Sequence, residues 1–217
     1  MTEASFLRTT RTAYDTMAAD YTARSHDELA GQPLERGIFA AFAELVRATG
    51  PVADVGCGPG WTAGHLHGLG VDVFGVDLSP EMLALARRDH PDVRFEEGSM
   101  TALDVPDGTL GGIVANYSII HIPTERLPGV FAEFHRVLAP GGHLLITVLN
   151  GDEHLHRTEA FGHTIALDYY LRPPDQLAGL LAEAGLVTKA RLLREPEETE
   201  LLPRAFLFAR KARDAQP

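Results

Sequence analysis

Apolar positions recur at helical spacing through the first fifty residues, then give way to short apolar runs alternating with helical stretches. Residues 5 to 22 carry apolar or small side chains every three or four positions, with Tyr14 and Tyr21 a heptad apart and so on one face of a helix. Leu34, Ile38, Phe42 and Leu45 predict a second helix over 34 to 48. From Val52 the chain reads as strands near 52–55, 72–77, 92–96, 111–116 and 142–148, with helices near 61–68, 80–88 and 125–138. This rhythm predicts a mostly parallel sheet with helices on both faces, an α/β doubly wound fold in three α/β/α layers.

The last third changes character. Pro173-Pro174-Asp175 starts a helix to about Ala184, Gly185 ends it, and strands follow near 186–194 and 203–210. Only a short acidic loop, Glu195 to Glu200, joins those two strands, which leaves no room for a crossover helix and predicts a closing antiparallel hairpin. Two segments fall outside the alternation, about Thr22 to Pro33 and Asn150 to Asp168. They are expected to form the lid and wall of a cleft, with Phe161, Ile165, Leu167, Tyr169 and Tyr170 making it partly aromatic.

A chain of 217 residues with 45% hydrophobic content suffices for one well-buried domain, and no Ser/Gly-rich linker divides it. The formal net charge of −11 argues against gripping a nucleic-acid backbone, which needs clustered Lys and Arg. No apolar run reaches the length of a membrane span, and Met1-Thr2-Glu3-Ala4-Ser5 lacks the basic and apolar regions of a signal peptide, so a cytoplasmic protein without membrane partners is expected. Oligomeric state leaves no mark on the sequence. The one cysteine, Cys57, has no base placed beside it and reads as a small packing residue.

The chemistry concentrates where the first strand runs into glycine, at Val52-Ala53-Asp54-Val55-Gly56-Cys57-Gly58-Pro59-Gly60. Glycines at the end of a parallel strand let a ligand approach backbone N–H groups and a helix N-terminus. The spacing G-x-G-x-G differs from the G-x-G-x-x-G that cradles a dinucleotide pyrophosphate, and Asp54 lies where a phosphate would be repelled. The ligand should therefore carry positive charge near the turn. A second carboxylate, Asp77, ends the next strand twenty-one residues after Gly56, the distance at which an acid holds ribose hydroxyls in doubly wound folds. Its alternative is a helix-start acid favoured by the dipole.

This arrangement resembles the class I S-adenosylmethionine-dependent methyltransferases, whose acid-x-G-x-G-x-G motif is matched by Asp54, Gly56, Gly58 and Gly60. The resemblance continues through Gly75 to Leu83 and Arg136 to Gly142, and covers roughly residues 10 to 210. It implies a single methyltransferase domain over 1–217 on a Rossmann-like sheet, strand order 3-2-1-4-5-7-6, with an N-terminal helical cap over about 1–50 and a lid insert over about 150–170. It also implies S-adenosyl-L-methionine as cofactor, S-adenosyl-L-homocysteine as product and a small-molecule acceptor.

On the same resemblance, Gly56 and Gly58 would admit the methionine part, Asp77 the ribose, and Leu78 and Met82 the adenine. Many relatives carry an acid where Ser99 stands, so here Ser99 or the backbone around Met100 would meet the adenine amino group. Another acid common at the start of the fourth strand is replaced by Gly111. Asn116 would hold the cofactor's amino group, and Tyr117 would shield the sulfonium or simply pack at the strand end. Tyr14-Asp15-Thr16-Met17-Ala18-Ala19-Asp20-Tyr21 is similar to the Tyr-Asp-x-x-Ala-x-x-Tyr pattern of relatives whose tyrosines cover the cofactor; the alternative is that Tyr14 and Tyr21 only anchor their helix.

His121 is the candidate general base, since an imidazole with an ordinary pKa of ~6.5 accepts a proton near neutrality; the alternative is a core histidine bonded to a backbone carbonyl. His65 with His67, and His154 with His156 and His163, invite a metal reading, the latter group completed by Asp152 and Glu153. Alternate residues diverge on a helix and share a face only on extended backbone, so no metal is expected. Trp61, opening the helix after the glycine turn, reads as packing. Two rival functions keep the cofactor: rearrangement or cyclisation of a bound natural product without methyl transfer, and a non-catalytic cofactor-sensing or partner-activating domain.

Overall fold

The computed structural model describes residues 4–25, 29–198 and 200–213. Part of the Thr22–Pro33 lid segment, residues 26–28, and Thr199 of the acidic loop lie outside the described residues. Two helices lead, α1 (Ser5–Ser25) and α2 (Pro33–Val46). The alternating part follows as β1 (Val52–Val55), α3 (Trp61–Gly68), β2 (Val73–Asp77), α4 (Pro80–Asp89), β3 (Arg94–Glu97) and β4 (Leu110–Asn116). Two 3₁₀ turns, Ile119–His121 and Thr124–Arg126, then lead into α5 (Leu127–Val137) and β5 (Leu138–Leu149). The chain continues through β6 (His154–Ala160), β7 (His163–Tyr170), α6 (Pro174–Glu183), β8 (Leu186–Arg194) and β9 (Arg204–Lys211).

The main sheet has seven strands in the order β3-β2-β1-β4-β5-β9-β8, with β9 antiparallel to both β5 and β8. Because β6 and β7 pair only with each other, β8 and β9 are the sixth and seventh strands of this sheet, and the order is the expected one. All four residues of β1 are buried, as a parallel strand covered on both faces requires. Neighbouring residues serve opposite layers. Val52 and Val73 pack with Phe39, Phe42 and Leu66 of α2 and α3, whereas Ala53 and Val55 join Phe131, Phe134 and Leu181 of α5 and α6.

In α2 the buried stripe is Ile38, Phe39, Phe42, Ala43 and Val46; Leu34 and Leu45, expected on it, are 46% and 45% exposed. The helix is rotated toward its paired phenylalanines, which bury more apolar surface than the leucines at its ends. Strand β5 begins at Leu138, not near 142, because Leu110 pairs with Leu138 before a register shift brings Gly112 to His143.

The 150–170 insert is a β-hairpin, two strands that the sequence reading did not resolve. Strand β6 is exposed or half-exposed at every position, so it shows no apolar alternation. On β7, Ile165 and Leu167 face inward onto Ala13 and Met17 of α1, and a His163–Asp20 contact at 2.8 Å ties the hairpin to that helix. Helix α1 lines the cleft and the hairpin packs on α1, so none of Phe161, Ile165, Leu167, Tyr169 and Tyr170, expected in the cleft wall, lines it. Among the described residues no helix is long and apolar enough to cross a membrane.

Candidate active site

The turn after β1 takes its shape from three glycines in the left-handed region, Gly56, Gly58 and Gly60, at φ of 75°, 53° and 84°. At Gly56 the requirement is also steric: a Cβ there would sit 2.3 Å from the Ser118 Cβ, because Ser118 reaches across to donate its hydroxyl to the Val55 carbonyl at 2.7 Å. Gly58 has open space where its Cβ would be. Its N–H donates to Asp77 Oδ2 at 2.8 Å, and the Ser79 N–H donates to Asp77 Oδ1 at 2.9 Å. Asp77 thus clamps the glycine turn to the start of α4, where the Ser79 hydroxyl caps the Met82 N–H. Burial raises the Asp77 pKa despite these donors.

Asp54 is 1% exposed and points into the same cleft. Neither carboxylate oxygen has a hydrogen bond of ordinary geometry, nor does Asn116 Oδ1 opposite, whose Nδ2 donates to Thr62 Oγ1 at 3.2 Å. Burial pushes the Asp54 pKa up to about 8, against the weaker pull of the Ala63 N–H, with Asp77 adding to the rise. Three buried acceptors lining one cleft call for a ligand with several donors and positive charge, which a primary ammonium provides.

His121, which lines the same cleft, is 6% exposed and held at both ring nitrogens. Nδ1 lies 2.8 Å from the Asp168 carbonyl, which can only accept, so Nδ1 carries the proton. Nε2 is then an acceptor and receives the Tyr14 hydroxyl at 2.8 Å. Burial lowers the His121 pKa to about 4, with Arg172 pushing the same way and Asp168 opposing, so the ring is neutral at physiological pH. Burial, then Tyr169, Tyr21 and Asp77, hold the Tyr14 phenol well above its usual range. Of the two alternatives for His121, the geometry realises the buried histidine bonded to a backbone carbonyl; its other nitrogen accepts from a phenol on the cleft wall, and burial takes from it the ordinary imidazole pKa that the general-base expectation assumed.

Tyr117 has φ of 49°, a strained value for an aromatic residue. Its hydroxyl donates to Glu35 Oε1 at 2.9 Å and accepts from Arg204 Nη1 at 3.1 Å, while the Arg204 guanidinium lies 5.0 Å above its ring. Glu35, 4% exposed, also takes Arg204 at 3.1 Å and Arg194 at 3.4 Å, and Glu200 binds both arginines. Sequence reasoning missed this network, since α2 and the ends of β8 and β9 meet only in the fold.

Tyr21 stacks on Trp61 with centroids 5.6 Å apart and meets Phe161 of the hairpin edge-on at 5.3 Å. Trp61 is therefore part of the cleft wall. Leu78, Met82 and Met100 line the Asp77 end. Ser99 does not line the cleft: its hydroxyl is taken up by Thr101, through Oγ1 at 2.8 Å and N–H at 3.2 Å, which leaves Gly98 and Met100 to form that wall. Cys57 is buried and its thiol pKa is raised by burial, so it packs and stays protonated. Extended backbone brings His154 and His156 onto Asp168 at 2.8 and 2.9 Å, while His163 turns away to Asp20. Among the described residues no group of three or more His, Cys, Asp or Glu is arranged to hold a metal ion.

Residues 52–142 match a methyltransferase-domain family. A malonyl-[acyl-carrier protein] O-methyltransferase of Erwinia billingiae is 32% identical over 138 residues, 64% of this chain and 54% of that protein. The chain spans about half the length of the curated relatives it matches. The structure of DhpI in complex with S-adenosylhomocysteine is similar with a TM-score of 0.72 at 21% identity, covering 97% of this chain and 99% of that one. The [4+2]-cyclase SpnF is similar at 0.70 with 18% identity, covering 94% and 95%. The sequence match over residues 52–142 and the shared fold make this chain similar to the S-adenosylmethionine-dependent methyltransferases.

Proposed function

We propose that this protein binds S-adenosylmethionine and transfers its methyl group to a small-molecule acceptor whose nucleophilic atom carries a proton. The observation that carries the reading is the unpartnered acceptor set Asp54 and Asn116 beside the glycine turn, lining one cleft together with a neutral His121 bonded to Tyr14. The cofactor, when bound, supplies an activated methyl group on a sulfonium.

Asp54 and Asn116 Oδ1 would accept from the amino group, and Gly56 and Gly58 would let the methionine part lie against the backbone. Asp77 would take the ribose hydroxyls. Each of its oxygens already accepts one N–H, but a carboxylate has about four acceptor positions, so capacity remains. Leu78, Met82 and Met100 would give the adenine an apolar slot, and Tyr21 and Trp61 would close the cleft against water. At the acceptor end, Tyr117 is fixed by Glu35 and Arg204 as a rigid wall. His121 Nε2, reached through the Tyr14 hydroxyl, would receive the acceptor's proton, and alignment of the acceptor would supply most of the rate.

Incubation with methyl-labelled S-adenosylmethionine and a panel of small phenols, alcohols and amines, read by mass spectrometry, tests the reading. A product heavier by the labelled methyl is expected. A product of unchanged mass would instead show a cyclisation or rearrangement, in line with the structurally similar [4+2]-cyclase SpnF. Calorimetry in which NAD binds more tightly than S-adenosylmethionine would overturn the reading altogether.

A further inference from the structure

Arg172 follows β7 and is 1% exposed, the largest fully buried side chain among the described residues. A cation buried this deeply is costly unless its charge is used or paired. Its hydrogen bonds go only to neutral oxygens. Nη1 donates to the carbonyls of Ile119 and Tyr170 at 3.1 and 3.2 Å, and Nη2 to the Ile122 carbonyl and, at 3.4 Å, the Thr124 hydroxyl. Burial lowers its pKa to about 10, so it is still a cation at neutral pH. It does not line the cleft.

The carbonyls it gathers are informative. Ile119 and Ile122 bracket the 3₁₀ turn Ile119–His121, so the guanidinium holds both ends of the segment that presents His121. The other restraint on that ring comes from the same strand: the Asp168 carbonyl of β7 takes the Nδ1 proton. The groups facing His121 are Tyr14 from α1, Asp168 and Tyr169 from β7, and Arg172 beyond it. Of these only Arg172 carries positive charge, and it opposes protonation of the imidazole where the Asp168 charge favours it.

We propose that Arg172 is a positioning residue: by gathering the Ile119 and Ile122 carbonyls it fixes the turn that presents His121, so that Nδ1 stays on the Asp168 carbonyl and Nε2 faces Tyr14 and the cleft. Strand β7 and its exit thus set the state of the base. The functional weight of this inference rests on His121 being the proton acceptor, but the state of the ring is measurable without cofactor or acceptor.

The test is NMR of protein carrying ¹³C,¹⁵N-labelled histidine, with the His121 signals identified by their loss in His121→Gln. In the wild type the ring should be neutral from pH 5 to 8 with its proton on Nδ1. Arg172→Met, which frees the Ile119 and Ile122 carbonyls, should admit the Nε2-protonated form and raise the titration midpoint as the turn loosens, and Arg172→Lys, which keeps a donor for those carbonyls, should stay nearer the wild-type tautomer and midpoint. A folded Arg172→Met with unchanged midpoint and tautomer would overturn the proposal. So would a wild-type His121 protonated on Nε2, a result that needs no variant to fold. Calorimetry with S-adenosylmethionine on the same samples separates the two ideas, since lack of binding by the wild type would count against the cofactor reading and leave the His121 result standing.

Discussion

Replacing Asp54 by Asn should move stability and cofactor affinity in opposite directions. The carboxyl has an ordinary pKa of 3.8 and one of about 8 in the folded protein. Between those values the unfolded chain is ionised and the folded chain protonated, so folding takes up a proton and stability falls as pH rises from about 4 to 8. At pH 7 about three units of that shift are in force, a penalty on the order of 4 kcal/mol at about 1.4 kcal/mol per unit. Asn removes the ionisation but leaves a buried amide short of partners, so a gain of about 2–4 kcal/mol in unfolding free energy is expected near neutrality, fading toward pH 4.

Binding runs the other way. An ammonium beside Asp54 favours the carboxylate, so below pH 8 the wild type should release nearly one proton on binding S-adenosylmethionine. Its affinity should then rise roughly tenfold from pH 6 to pH 7, a range in which the ligand's own amino group stays protonated. Calorimetry at pH 6.5 in two buffers of different ionisation enthalpy counts that proton, and urea unfolding at pH 5 and 7 reads the stability. Asp54→Asn should bind more weakly by roughly 1.5–3 kcal/mol at pH 7.5 and exchange no proton. Wild-type binding without proton release, together with a variant less stable than wild type at pH 7, would refute the assignment of Asp54 as an unpaired acid waiting for a cation.

Asp77→Ala should weaken S-adenosylmethionine binding by roughly 1.5–3 kcal/mol with the circular dichroism spectrum retained; an unchanged Kd would leave Asp77 only its clamp on Gly58 and Ser79. Gly56→Ala combines a left-handed backbone with a 2.3 Å approach to Ser118 and should cost roughly 2–5 kcal/mol in thermal unfolding, against about 1–2 for Gly58→Ala, whose Cβ would meet open space. With an acceptor in hand, His121→Gln and Tyr14→Phe should each lower kcat by roughly 10² to 10⁴-fold, and the double variant should be little worse than the poorer single one. Because His121 titrates near about 4, no limb of the pH–rate profile near the ordinary imidazole pKa should belong to it; such a limb, lost in His121→Gln, would contradict the burial argument.

What the sequence makes legible is what has a local cause. The glycine turn and the strand–helix rhythm each follow from residues within about ten positions of one another, and they stand where expected. The network of Glu35, Arg194, Glu200 and Arg204 has no such cause. It joins the first turn of α2 to the loop between β8 and β9, and no pattern in either segment marks the other. Strand β6 was hidden for the opposite reason: with both faces toward solvent, it needs no periodicity. Ser99 shows the limit of carrying a family position across, because a hydroxyl in place of an acid found a nearer partner in Thr101.

The cleft is arranged so that a cation can enter without meeting one. Asp54 and Asp77 are both buried with raised pKa values, which is unfavourable in the free protein and is relieved when positive charge and donors arrive. A protonated imidazole on the wall of the same cleft would oppose that arrival, since like charges repel more strongly near a protein interior than in bulk water. Burial keeps His121 neutral, and the Tyr14 phenol is neutral too. The ring therefore combines two properties that a freely exposed histidine cannot hold together near pH 6: no charge of its own, and a lone pair fixed in direction by a backbone carbonyl on its far side. Burial of His121 thus favours the cofactor's charge at the cost of the ring's basicity, and a substitution that opens His121 to solvent should weaken cofactor binding near pH 6 while raising the ring's pKa.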